Sequence, residues 1–550
     1  MKKIILLSIV ATLMFSSCAT VFMGKKQKVT FNSGSSDAEV YLDKEMIGEG
    51  SSFIYKINKQ EGQSRQLTIK RKGYKDQYAA IIKTRRPIAY WPVKILFIWN
   101  FYAWSIDAMG YSRNTAFERE INLEGEDNKL VTRGKTDKYL DISNIGVKIK
   151  NTNKDVAFYY VKYDPLNLKK SLEAAELKKD TKDAKADIKK AKKNKNKKTK
   201  TLDDSDLKYD DTKFSTNVYQ TLRKTGFVDT INKVFNDNNN TLVLEGKITK
   251  LHTFSIHSRF YANYYKSKVY LTWYVKNTYG EILDSVVTSE LSGDFAYLYT
   301  WDGDNANYDN YNKMVGDAID ISYLKMHQNT KFTKYLKMES DFKSKDPILT
   351  IKSGSSKVID KETASLACVT IKLKDEGKDV GHGSGFAISQ DGYIITNFHV
   401  VAGKYPGKYN DLTVINSEGV EMPAKVIRTN KYRDLALIKV EGKFEKTFTV
   451  SSTKTFKKMQ DVYTIGTPKS IELGQSISAG LISNERKTET TNLLQLGMSV
   501  NGGNSGGPLF DATGALHGVI VSKLIGSNTE GVSFAIPAYL IQEYLNINFN

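Results

Sequence analysis

GSGFAISQDGYIITNFHVV, residues Gly383–Val401, sets short apolar runs between glycines and a charged turn and ends next to a histidine. The same rhythm continues on both sides of it. CVTIKLK (368–374), LTVINS (412–417), AKVIRT (424–429), LALIKV (435–440), VYTIG (462–466), LFDATGALHGVIVS (509–522) and GVSFAIP (531–537) are further apolar pieces parted by turn residues. Helical spacing appears only near the end, in AYLIQEYL (538–545). So many short strands at even spacing predict an all-β sandwich or barrel over residues 361–550.

Three pieces of this region carry chemistry. TNFHVV places His399 at the end of an apolar strand, RDLALIKV places Asp434 just before another, and GGNSGGPL places Ser505 in a glycine-rich loop. Acyl transfer needs these residue types: a hydroxyl activated by an imidazole, and a carboxylate that fixes the imidazole's tautomer. The glycines allow a tight loop in which the backbone N–H groups of Gly503 and Ser505 can converge on a developing oxyanion. His382 and His517 sit beside glycines without a matching acid and serine, and are expected to be structural. GHGSG (381–385) lacks the terminal lysine and Ser/Thr of a Walker-type phosphate loop and precedes a strand. Cys368 lies in an apolar strand, LACVTIKLK, where a reactive thiol is not expected.

The order His399, Asp434, Ser505 and the strings GSGFAISQDGYIITNFHVV, RDLALIKV, GNSGGPL and SFAIP resemble the trypsin-like serine proteases, and specifically their HtrA/DegP branch. The resemblance covers about Thr363–Leu545. It implies two six-stranded β-barrels with the active site between them. It further implies His399 as general base, Asp434 as its orienter, Ser505 as nucleophile, and Gly503 with Ser505 as oxyanion hole. A homo-oligomer, usually a trimer, is implied as well. Three departures stand out. Phe398 occupies a position where a small or amide side chain is commoner and can crowd the cleft. Gly502 replaces a stiffer residue, which would loosen the oxyanion loop. Asn504 replaces the aspartate that pairs with a new N-terminus in digestive relatives, so zymogen cleavage is not the expected switch. Only 45 residues follow Ser505, so no PDZ-type peptide-binding domain is expected after it.

The chain has 550 residues, and at roughly 100–200 residues per domain it holds more than the peptidase region. Met1-Lys2-Lys3, an apolar run from Ile4 to Phe15 and the small residues Ser16 and Ser17 lead to Cys18. This resembles a lipoprotein signal (1–17) that leaves Cys18 lipidated at the head of a short tether (18–27); the alternative is a secretory signal cut elsewhere. Ala19 after the cysteine favours the outer membrane, with the protein facing the periplasm. Residues 28–84 hold short strands, and SDAEVYLDKEMIGEG (36–50) with LTIKRKGYKD (67–76) resembles the PEGA-type module, a small β-sandwich.

Residues 85–130 contain a hydrophobic aromatic segment, Ile88–Gly110, with Trp91, Trp99 and Trp104. Lys94 and Asn100 interrupt it and leave its apolar run short of the ~20 residues a spanning helix needs, so it reads as an interfacial segment or a buried hairpin or helix. Residues 131–168 are read as an extended or small β region. Residues 169–211 form a lysine-rich linker, with 14 lysines against five acids over Lys169–Lys200. A solvated helix followed by a disordered stretch fits it. The chain's net charge of +20 invites nucleic acid, but this run contains no aromatic platform for bases, so no nucleic-acid partner is expected.

Residues 212–340 read as an α+β accessory domain, with a helix carrying Val218, Leu222 and Phe227 on one side, a turn at Asn277-Thr278-Tyr279-Gly280 and a helix from Met314. WDGDNANYDNYN (301–312) lacks the order of a calcium loop and is expected to be a surface loop. Its histidines, His252, His257 and His327, are scattered, and neither metal nor cofactor is expected. Residues 341–360 form a linker. The whole is multidomain: N-terminal β-sandwich, central α+β domain, C-terminal trypsin-like double barrel. The function expected is a lipid-anchored cell-envelope serine endopeptidase cleaving unfolded or damaged envelope proteins. The alternative is a non-catalytic protease-fold lipoprotein that acts as a chaperone-like or scaffold binding module.

Overall fold

A computed structural model describes residues 26–58, 64–82, 120–122, 128–147, 155–162, 167–178, 211–230, 240–257, 263–296, 304–338, 346–454, 456–487, 492–521 and 533–550. Cys18, the signal and tether before residue 26, the aromatic segment 88–110 and most of the lysine-rich run lie outside the described residues. Among the described residues no helix is long and apolar enough to cross a membrane.

The N-terminal region is built from two sheets. Ser52–Asn58, Lys26–Asn32 and Glu120–Asn122 form one; Glu45–Glu49, Glu39–Leu42, Ser64–Lys70 and Gln77–Ile82 form the other. Alternation of side chains along each strand sends Val29 and Phe31 from the first sheet and Val40, Leu42, Leu67 and Ile69 from the second into one shared core. The Glu120–Asn122 strand returns from far along the chain to pair in parallel with Thr30–Asn32.

The central region is organised by one long strand, Thr241–His257. It pairs with Asn263–Lys276, which in turn pairs with Ile282–Leu291. Its other edge takes two parallel partners in succession, Tyr139–Val147 and Val156–Lys162. The stretch 131–168, read above as an extended or small β region, thus supplies strands to the central sheet. Helix Asp211–Lys224 covers this sheet with Phe214, Val218 and Leu222, spaced four apart on one face. Helix Asp304–Met326 lies beside it and is fixed by the indole of Trp273, which donates to Ser322 Oγ at 2.8 Å. That helix begins inside the segment expected to be a surface loop, because Asp and Asn side chains also suit a helix start.

The lysine-rich run is not wholly solvated. Leu172 is buried, and Glu176 accepts from His252 Nδ1 at 2.8 Å, Lys268 Nζ at 2.9 Å and Tyr270 Oη at 3.1 Å. Burial raises the Glu176 carboxyl, but the His252 and Lys268 contacts outweigh it and bring it down to about 2. His327 instead meets the hydroxyl of Tyr323 at 2.6 Å.

The C-terminal region comprises two closed six-stranded barrels. The first runs Cys368–Asp375, Lys378–Ala387, Tyr393–Thr396, Leu435–Val440, Glu421–Asn430 and Asp411–Ile415 around its circumference. The second runs Asp461–Gly466, Ser476–Lys487, Asn492–Leu496, Ser533–Pro537, Leu516–Val521 and Pro508–Phe510. Closure removes the unpaired edges that an open sheet would expose. A third apolar cluster joins the barrels: Phe386 of the first meets Phe448 of the connecting segment at 5.4 Å between centroids, and Phe448 meets Phe510 of the second at 5.5 Å. Fully burying such a side chain contributes roughly 1.5–3 kcal/mol, so the relative placement of the barrels is firmly held. Cys368 is a buried free thiol in this cluster, and burial raises its pKa.

Candidate active site

Strand pairing brings the histidine and the acid together. Tyr393–Thr396 and Leu435–Val440 run antiparallel with Thr396 opposite Ala436, so the residues just after one strand meet those just before the other. His399 sits in the short helix Phe398–Val401 that follows the first strand, and Asp434 immediately precedes the second. Asp434 is 2% exposed and has a left-handed backbone, φ 50°, a conformation that Asp tolerates better than most side chains. Both of its carboxylate oxygens are committed to one residue. Oδ2 lies 2.8 Å from His399 Nδ1, and Oδ1 accepts the His399 backbone N–H at 2.9 Å. Asn397 Nδ2 donates to the Asp434 carbonyl at 2.9 Å, which ties the backbone of the acid to the strand that delivers the histidine. With Nδ1–H directed at a carboxylate, a neutral imidazole presents Nε2 as a proton acceptor.

Ser505 comes from the second barrel and is anchored on the first. Its carbonyl accepts the backbone N–H of Ser384 at 2.8 Å. The hydroxyl of Ser384 donates to the Gly503 carbonyl at 2.7 Å and accepts the Thr467 N–H at 3.0 Å. Thr396 Oγ1 donates to the Ser384 carbonyl at 2.7 Å, so the strand leading to His399 and the loop carrying Ser505 share one floor. Gly506 has φ 88°, and a Cβ there would lie 2.3 Å from Thr396 Oγ1 and 3.1 Å from the Asn397 nitrogen. Only glycine permits this approach. The residue after Ser505 thus abuts the residues two and three before His399.

Peptide planarity then orients the loop's amides. The Gly502 carbonyl accepts from Lys469 N–H at 2.9 Å, and the Asn504 carbonyl from Gly507 N–H at 3.1 Å. In a trans peptide the N–H points opposite to the carbonyl. The amide hydrogens of Gly503 and Ser505 are therefore turned away from those two partners. Gly503 itself has φ 98°.

The departures from the expected pattern are resolved by packing. Phe398 does not crowd the cleft: it is 4% exposed and belongs to the first barrel's core, because the short helix turns it inward. The loop is not left loose at Gly502, since Lys469 holds its carbonyl. Ser384, Thr467 and Asn397 carry no motif that singles them out, yet they bind the segments bearing His399, Asp434 and Ser505 to one another. The signal was present in GHGSG. Period-two alternation puts His382 and Ser384 on one face of the strand Lys378–Ala387, while a Cβ at Gly383 or Gly385 would strike Val400 or Ile394. His382 accordingly plays a structural part, with Nε2 2.9 Å from the Thr467 carbonyl. His517 is likewise engaged with Asp511 Oδ2 at 2.9 Å.

Residues 383–519 match the family described as trypsin-like peptidase domain. A probable periplasmic serine endoprotease DegP-like of Pseudomonas savastanoi is 34% identical over 169 residues, covering 30% of this chain and 34% of that protein. Its counterpart from Bartonella henselae is 36% identical over 168 residues, covering 29% and 32%. Among solved structures, the serine endoprotease from Yersinia pestis shares 31% identity with a TM-score of 0.29, covering 32% of this chain and 61% of that one. The matched part spans about a third of the length of these curated relatives. The C-terminal region of this chain is a trypsin-like peptidase domain, distantly related to the DegP-like periplasmic serine endoproteases.

Proposed function

We propose that this chain is a serine endopeptidase of the bacterial cell envelope, anchored by a lipid on Cys18, that cleaves unfolded or damaged envelope proteins. The observation that carries the reading is the commitment of both Asp434 oxygens to His399, an arrangement that fixes one imidazole tautomer. In this reading Ser505 attacks the scissile carbonyl while His399 Nε2 takes its proton. The amides of Gly503 and Ser505 hold the oxyanion. His399 then protonates the leaving amine, and a water that it activates releases the acyl group. The relatives named as periplasmic endoproteases support the choice of substrate class and compartment. The test is covalent labelling of the full chain by a fluorophosphonate, competed by an unfolded protein. Wild-type protein that takes up no probe, at any concentration of active reagent, overturns the reading. Cys18→Ser is expected to abolish incorporation of labelled fatty acid; undiminished incorporation would remove the anchor from the proposal.

The oxyanion assignment makes its own prediction. A Cβ at residue 503 would lie 2.1 Å from the Thr467 carbonyl oxygen and 2.6 Å from His382 Nε2, on a backbone with φ 98°. Gly503→Ala must therefore shift the loop. Loss of one oxyanion donor costs about 100–1,000-fold in turnover, and a fall of that size in kcat is expected with the fold retained. A variant with kcat near wild type would show that the Gly503 amide takes no part.

A further inference from the structure

Hairpin tips usually face water, yet the tip that joins Asn263–Lys276 to Ile282–Leu291 is only partly exposed: Asn277 and Glu281 at its base are 4% and 3% exposed, Thr278 and Tyr279 are half-buried, and Gly280 faces out. It is also stiff. Asn277 Oδ1 accepts the backbone N–H groups of Tyr279 at 3.1 Å and Glu281 at 3.0 Å, Asn277 Nδ2 donates to Glu281 Oε2 at 2.6 Å, and Gly280 adopts φ 95°. This is asparagine capping its own turn. The tip is attached to the first barrel by the backbone. Ile282 N–H donates to the Lys404 carbonyl at 2.8 Å, in the loop that follows the helix carrying His399. The side chain at the centre of the turn completes the contact. The ring of Tyr279 lies 15° from parallel to the His399 imidazole with centroids 6.1 Å apart, and meets Phe398 edge-on at 5.4 Å. Both spacings fall within the range of favourable ring pairs, about 4.5–7 Å.

We propose that Tyr279 is a positioning residue of the active site, so that the central region, through this one hairpin tip, forms part of the peptidase machinery. The inference rests on the peptidase reading above. Asp434 restrains the imidazole at one edge through Nδ1, but an edge contact alone leaves the ring free to swing on its side-chain bonds. A rigid aromatic ring laid along its face, itself wedged against Phe398, closes that path and keeps water off one side. Nε2 is thereby held where it can serve Ser505. Small losses of alignment are costly in such a step, since a displacement of about 1 Å can cost on the order of 100-fold.

The experiment uses the full chain with Tyr279→Leu, Tyr279→Phe and Asn277→Ala. Two quantities are measured: steady-state hydrolysis of an unfolded protein substrate, and the rate at which diethyl pyrocarbonate modifies His399, followed by peptide mass spectrometry with His517 as internal control. Tyr279→Leu is expected to lower kcat by about 10-fold while KM changes by less than about twofold, and to speed modification of His399 severalfold. Tyr279→Phe keeps the ring and is expected to behave as wild type in both assays. Asn277→Ala loosens the tip and is expected to fall between them, which keeps the test open should the leucine variant not fold. An active wild type with a leucine variant equal to it in kcat and in His399 modification overturns the inference, as does an equal fall in the phenylalanine variant. If wild type hydrolyses no faster than Ser505→Ala, the peptidase reading fails separately. The modification arm then decides by itself whether Tyr279 shields His399, and an unchanged rate in the leucine variant again overturns it.

Discussion

Ser505→Ala is expected to abolish fluorophosphonate labelling and to lower turnover by on the order of 10⁶-fold, the penalty typical of deleting the nucleophile from such a unit. The size follows from how little else the substitution touches. The backbone of residue 505 is held by its carbonyl, which accepts from Ser384 N–H at 2.8 Å, and alanine preserves that bond. Gly506 stays pressed against Thr396, and the Gly502 carbonyl stays on Lys469. The residue is 3% exposed, so the variant loses one oxygen in a confined place. Thermal unfolding should be little changed. Whatever hydrolysis remains would come from the oxyanion donors and substrate binding alone. Labelling of the alanine variant at the wild-type rate would place the nucleophile elsewhere and sink the assignment. The same variant separates the two readings of the sequence: suppression of aggregation without any cleavage by the wild type would favour the chaperone-like module.

What the sequence made legible was whatever has a local grammar. The strand ends at His399 and Asp434 and the glycine loop at Ser505 each carry their signal within about eight residues, because the chemistry demands particular neighbours: apolar strands to fix the ends, glycines to allow φ 98° and φ 88°. Ten of the twelve barrel strands are legible for the same reason; Ser476–Lys487 and Asn492–Leu496 lie outside the pieces read as strands. Contacts that depend on distant pairing left no such mark. Tyr139–Val147 and Val156–Lys162 read only as part of an extended or small β region, since nothing in a strand announces a parallel partner a hundred residues later. Glu176 reads as one acid in a charged run; only the sheet that brings His252, Lys268 and Tyr270 around it reveals a half-buried anchor. Asn277-Thr278-Tyr279-Gly280 is recognisable as a turn, but its placement near His399 depends on contacts between stretches more than a hundred residues apart, which no period or motif encodes.

Asp434→Asn tests the geometric feature on which the proposed mechanism leans most after the nucleophile. Asparagine is close to isosteric and also tolerates the left-handed backbone that residue 434 adopts, φ 50°. The fold and the bond from Asn397 Nδ2 to the carbonyl of residue 434 should therefore persist. The amide, however, has one acceptor where the carboxylate has two. Its oxygen can keep the bond from the His399 backbone N–H, now 2.9 Å, only by turning its NH₂ toward Nδ1, now 2.8 Å from Oδ2. A donor facing Nδ1 forces that nitrogen to become the acceptor and moves the imidazole proton to Nε2. The nitrogen meant to receive the Ser505 proton then already carries one, and the positive charge of the imidazolium loses its counter-ion as well. A fall in kcat on the order of 10⁴-fold is expected, with KM changed far less and with fluorophosphonate labelling slowed in parallel. Retention of activity within about tenfold of wild type would mean that the tautomer is set by something other than Asp434. The bond from Nδ1 would then be a structural contact and not part of the reaction.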